Sequence, residues 1–111
     1  MKEGDIVVTV LQHASTPSNI RPALVLKRMP PFQDLLVCGV STQVHQIVKD
    51  FDELIEPGDS DYQSSGLRAT SIFRLGYLAV IPRTQIKGRI GSIAPERLKR
   101  LLNNLADYVR P

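Results

Sequence analysis

The stretch "NIRPALVLKR", residues 19–28, sets an arginine directly before a proline and a run of β-formers. Backbone ahead of a proline is confined to extended conformations, so the Arg21 side chain loses little freedom when it is aimed from the entrance of a strand. A guanidinium held there can donate two parallel hydrogen bonds to a phosphate and gain strength as negative charge grows on it. The same arginine could instead pair with one of the acids of residues 50–61, and on the stretch alone the two readings stand level. Histidine offers a second kind of chemistry. His13, in the loop "HASTPSN", and His45, after "STQV", are each isolated, yet an imidazole exchanges protons near neutral pH. No metal site is expected, because the histidines are apart and the acids lie in a loop without a recognisable ligand pattern.

The 111 residues are read as a single domain, 1–111, with no internal repeat or dividing linker. Cys38 in "LLVCGV" has no partner within the chain and reads as a small buried hydrophobe in a reduced compartment, which makes the cytoplasm the expected location. The start "MKEGDIVVTV" has no signal-like apolar core, and no run approaches the roughly 18 apolar residues of a membrane span. The net charge of +3 is unevenly spread. Asp50, Asp52, Glu53, Glu56, Asp59 and Asp61 crowd one segment without a Lys or Arg, whereas residues 83–111 hold seven basic side chains against Glu96 and Asp107. The surface is therefore expected to be polarised, and the basic tail is either a solvated face or a hold on an anionic partner.

The elements that must position these groups are mostly strands. "DIVVTVLQ" is the first, and Ser, Thr, Pro and Asn in "HASTPSN" predict a loop before the second, Arg21 to Arg28, which "MPPF" ends. "DLLVCGVST" is nearly continuous in apolar residues and is expected at the centre of the sheet with both faces covered. "DELI" is a short strand, "EPGDSDYQSSG" a polar loop, and "ATSIFRL" and "YLAVIPR" two strands joined tightly at Gly76. "IKGRIGSI" closes the β-rich part as an irregular strand. Leu98, Leu101, Leu102, Leu105 and Val109 then fall at helical spacing behind Pro95 and Glu96, a proline and an acid suited to a first turn. Such an order predicts a mainly β chain with a C-terminal helix, built as a small barrel or strongly coiled sheet.

Five pieces in order, "EGDIVV", "RPALVL", "VCGVSTQ", "GLRATSIFRL" and "RIGSIAPERLKRLL", resemble the successive motifs of the MazF/PemK family of toxins from bacterial toxin–antitoxin pairs. The resemblance implies an SH3-like barrel of MazF/PemK/CcdB type, a homodimer, a cognate antitoxin and no cofactor. It also implies a metal-independent endoribonuclease that cuts single-stranded RNA. In that chemistry the 2′-hydroxyl attacks the adjacent phosphate, so the site must accept a proton, stabilise an anionic phosphorus centre and protonate the leaving 5′-oxygen.

On this resemblance Arg21, before Pro22, matches the family's arginine, and Ser41, followed by Thr42, matches a hydroxyl that sets the register of the scissile linkage. Ser and Thr at strand ends also commonly bond their own backbone. Arg74 matches an arginine that some members use in acid–base catalysis or phosphate binding, but Gly76 stands where those members carry an aspartate. His13 lies in a loop that the family uses to gate its RNA groove, and the candidates for proton acceptor are His13 or an arginine, whose pKa is far too high for easy proton abstraction. Tyr62 is the candidate for stacking on a base, while Phe73 and Phe51 are expected in the core. Gly76 also keeps a second class of function open: a non-enzymatic binder on the same barrel, either a gyrase poison or a relative that binds RNA without cutting it.

Overall fold

Three segments carry apolar residues in succession rather than in alternation: Ile6-Val7, Leu24-Val25-Leu26 and Val37-Cys38. Strands of that kind need cover on both faces. The computed structural model describes the backbone of residues 1–13 and 16–111, and the side chains of residues 1–10 and 20–111. It contains strands β1 (Asp5–His13), β2 (Thr16–Met29), β3 (Asp34–Ser41), β4 (Glu53–Ile55), β5 (Ser71–Ile81) and β6 (Ile86–Ser92), with a one-turn helix α1 (Tyr62–Ser65) and a long helix α2 (Pro95–Val109). The strands form one antiparallel sheet in the order β4-β5-β3-β2-β1-β6.

Consecutive residues of the inner strands fall into different cores. Ile6, Leu24, Leu26, Cys38, Phe73 and Leu75 pack with Ile93 and with Leu101 of α2. Val7, Ala23, Val25 and Val37 pack with Leu35 and Ile81 on the opposite face. The central place of β3, buried on both faces, is as expected from its apolar run. The result is a coiled sheet closed by a terminal helix, consistent with a small barrel-like fold. In α2, Pro95 occupies the first turn and Leu98, Leu101, Leu102 and Leu105 meet the core, but Val109 is exposed, so the apolar stripe ends one turn earlier than its spacing suggests. Among the described residues, no helix is long and apolar enough to cross a membrane.

Three local expectations need correction. Residues 13–19 are not a loop throughout: β2 already begins at Thr16, and the pairs Val10↔Ile20 and Leu11↔Asn19 prolong the β1–β2 hairpin, the ladder overriding the turn-forming side chains. The polar segment before β5 contains α1. "ATSIFRL" and "YLAVIPR" belong to one strand, because β5 stays paired with β3 on both sides of Gly76. The register steps from Gly39↔Arg74 to Cys38↔Leu78, so Leu75, Gly76 and Tyr77 bulge out of the ladder. Buried Asp52 stabilises the bulge: its Oδ1 accepts the Leu75 N–H at 3.0 Å and its Oδ2 the Val48 N–H at 2.9 Å.

Candidate functional site

β2 and β3 are paired from Met29↔Asp34 to Ala23↔Gly39. Arg21 lies two residues before Ala23, and Ser41 two residues after Gly39, so the pleat sends both side chains to the same face at the point where the pairing stops. A cleft of about 900 Å³ opens there, lined by Arg21, Pro22, Ser41, Thr42, Gln43 and Arg68 among others. That volume lies within the roughly 300–1,000 Å³ of sites that enclose a small organic ligand. Thr9 of β1 is the cross-strand neighbour of Arg21, and its hydroxyl donates to the Gln85 carbonyl at 3.0 Å. The Arg21 Nε is buried and has no hydrogen-bond partner among the described residues. A buried donor without a partner costs free energy that an incoming acceptor can recover. Ser41 Oγ accepts the Gln43 N–H at 3.0 Å, the local strand-end bond that Ser favours. Acceptance fixes the oxygen and leaves its O–H free to donate into the cleft.

The wall opposite β2 is the segment from Gly66 to Ser71 that leads from α1 into β5. Three local contacts fix it: Leu67 N–H donates to Ser65 Oγ at 3.1 Å, Ser71 Oγ donates to the Ala69 carbonyl at 2.8 Å, and Gly66 lies against β6. Gly66 has φ +75°, and a Cβ built on it would stand 2.1 Å from the Ile90 carbonyl oxygen. Gly91 meets α1 as closely, with a Cβ falling 2.2 Å from the Ser64 carbonyl oxygen. Backbone therefore packs on backbone at both residues, which only glycine permits. Gly66→Ala is expected to destabilise the protein by about 1–3 kcal/mol, seen as a lower unfolding midpoint in urea.

Charge in the cleft has one sign. Arg21 and Arg68 line it, and no Asp or Glu does among the described residues. The sequence left open a pairing of Arg21 with the acids of residues 50–61, but three of them, Glu53, Asp59 and Asp61, bond to arginines of α2, and Asp52 bonds to the Leu75 and Val48 N–H groups. Arg97 is almost wholly buried; its Nε donates to Asp61 Oδ2 at 2.8 Å and its terminal nitrogens reach Asp61 Oδ1, Asp59, Glu53 and the Leu54 carbonyl. Arg100 adds two bonds to Glu53. The hydrogen bonds from Arg97 hold the Asp61 carboxyl below its ordinary value of 3.8. The expected separation into an acidic face and a basic tail is thus corrected, since part of the tail neutralises the acids within the fold. Arg28, Arg89 and Arg110 also have ion pairs, with Glu3, Asp5 and Asp107. Arg21, Arg68, Arg74 and Arg83 have none among the described residues.

Arg21, Pro22, Ser41 and Thr42 are therefore brought together. Arg74 pairs across from Gly39, on the same sheet face and one row further in, but does not line the cleft. Tyr62 begins α1, packs half-buried against the core and does not line the cleft. Phe73 is fully buried as expected, while Phe51 is half-buried and packs on Tyr108 with ring centroids 4.9 Å apart. His45 is exposed in a single turn, Val44–Gln46, outside the cleft. His13 ends β1, and its side chain lies outside the described residues. Gly76 lines a separate groove beside Phe51, Leu105 and Tyr108 and does not line the cleft. Sequence reasoning did not single out Arg68 and Gln43, which the structure adds to the cleft lining. For the first, the sequence showed only a cation two residues past a glycine in "GLRATS".

A family model described as "PemK-like, MazF-like toxin of type II toxin-antitoxin system" matches residues 2–109 of this chain. The chain is also similar to the DNA replication complex GINS protein psf1 of Neurospora crassa, at 27% identity over 107 residues, which cover 96% of this chain and 47% of that protein. It thus spans about half the length of that relative.

Proposed function

Because the chain belongs to the PemK-like, MazF-like toxins of type II toxin–antitoxin systems, we propose that it is an endoribonuclease that cuts single-stranded RNA at the Arg21–Ser41 cleft without a metal ion. The observation that supports this reading is a cleft with no acid among its described residues, into which an arginine with a buried, unpartnered Nε and an oriented serine hydroxyl both open. A phosphodiester between them would accept hydrogen bonds from the guanidinium and from Ser41 on its nonbridging oxygens, with Thr42 beside them. Attack by the 2′-hydroxyl oxygen forms the new P–O bond as the bond to the 5′-oxygen breaks. The attacking hydroxyl gives up its proton and the leaving oxygen gains one. Donors already aimed at the phosphorus centre strengthen as its charge increases, which lowers the barrier. His13, at the end of the strand that pairs with that of Arg21, is assigned the proton transfer, and Arg74 a supporting charge on the same face.

A cytoplasmic homodimer neutralised by a cognate antitoxin completes the proposal; an antitoxin segment that fills the cleft would exclude RNA from it. The test is incubation of purified protein with mixed single-stranded RNA in the presence of a chelator. Fragments ending in a 2′,3′-cyclic phosphate and a 5′-hydroxyl are expected. Intact RNA across diverse sequences, or fragments with 5′-phosphates, would overturn the reading. Growth arrest with DNA damage and uncut RNA on expression in bacteria would point instead to a gyrase-type poison.

A further inference from the structure

We infer that Arg68 is a second substrate-binding residue, which holds the phosphate next to the one lodged between Arg21 and Ser41. The inference rests on the ribonuclease reading of this cleft and names how the cleft holds an RNA strand rather than an isolated phosphate.

The strand order supports it. β3 runs between β2 and β5, so Ser41 occupies the middle strand, with Arg21 on one side and the Gly66–Ser71 wall on the other. Ser41 is paired with Ile72, the residue that follows Ser71. Two strand spacings, about 10 Å, separate β2 from β5. A phosphate gripped on the β2 side therefore leaves the β5 side of the cleft to the neighbouring nucleotide. The side chain offered there is Arg68, exposed and without an ion pair among the described residues.

Its backbone is set before any ligand arrives. Gly66 is held against the Ile90 carbonyl, Leu67 is bonded to Ser65 Oγ, and Ala69 accepts from Ser71 Oγ. A cation carried on fixed backbone loses less freedom on binding than one on a mobile loop. Guanidinium suits a phosphodiester oxygen pair better than ammonium does, through its planar fork of donors.

The experiment is binding of a single-stranded RNA oligonucleotide, blocked against cleavage by 2′-deoxy sugars, to the full chain across a series of salt concentrations. Each neutralised phosphate on a single strand contributes about 0.7 to the slope of log affinity against log salt. Arg68→Gln is expected to flatten that slope by about this amount and to weaken binding several-fold at low salt, with an unchanged unfolding midpoint. Arg83→Gln removes an equally unpaired arginine outside the cleft and should leave the slope as it was. On cleavable RNA, Arg68→Gln should raise KM and leave kcat nearly intact. An unaltered slope in Arg68→Gln, or an equal loss in Arg83→Gln, overturns the inference. If the wild-type protein binds the oligonucleotide through Arg68 yet cuts no RNA, the ribonuclease reading fails and this one stands.

Discussion

Arg21→Ala is expected to lower the rate of RNA cleavage by on the order of 10²–10³-fold, the usual effect of deleting one donor aimed at a developing oxyanion, with folding unimpaired. Stability should survive because Arg21 supports no ion pair, and truncation also removes a buried nitrogen that has no partner among the described residues. Arg21→Lys keeps the charge but not the fork, and should recover only part of the rate. Single-turnover cleavage under saturating protein separates this loss of rate from weaker binding, and an unfolding curve on the same sample checks the fold. A variant that cut RNA at the wild-type rate would remove Arg21 from the chemistry.

The largest effect on stability is expected at Arg97. Its guanidinium is shielded from solvent and bonded to Asp61, Asp59, Glu53 and the Leu54 carbonyl. Arg97→Ala would leave the buried Asp61 carboxylate without its main partner, at a cost of about 3–5 kcal/mol. That is a large share of the stability of an ordinary domain, about 5–15 kcal/mol. Arg97→Met combined with Asp61→Leu should cost much less, since both charges are then absent. Acid dependence follows from the same pair. The carboxyl of Asp61 has its affinity for protons reduced by folding, so its contribution is complete above 3.8 and disappears as the pH falls through the lower, folded value. Denaturant midpoints measured down the acid range should decline in the wild type below 3.8, and Asp61→Asn should lack that part of the decline. Because Asp61 Oδ2 also accepts the Ala94 N–H at 2.9 Å, the pair ties the start of α2 to α1, whose far end leads into the cleft wall.

Arg21 and Ser41 could be read as a pair because they belong to one hairpin. They lie ten residues to either side of Pro31, in the turn between β2 and β3, so local pairing brings them to the same level. The helix was equally legible, since its leucines and its proline sit within one short window. What escaped depends on contacts between distant residues. Nothing near Arg68 in the sequence says that Gly66 meets the Ile90 carbonyl, and nothing near Arg97 says that Asp61 lies beside it. Charge totals therefore described a basic tail where the fold has an internal ion-pair cluster. Gly76 looked like a turn between two strands because the support of the bulge comes from Asp52, 23 residues from Leu75 in sequence. Tyr62 read as a stacking candidate from its polar neighbours, whereas the one-turn helix they form packs it half-buried against the core.

The central claim is that a phosphodiester lodges between the Arg21 guanidinium and the Ser41 hydroxyl. A crystal structure with a single-stranded RNA oligonucleotide, its attacking 2′-hydroxyl replaced by hydrogen, tests this directly. The account predicts one phosphate with nonbridging oxygens about 2.7–3.0 Å from Arg21 nitrogens and from Ser41 Oγ. An oligonucleotide bound elsewhere on the molecule, with the cleft empty, would contradict it.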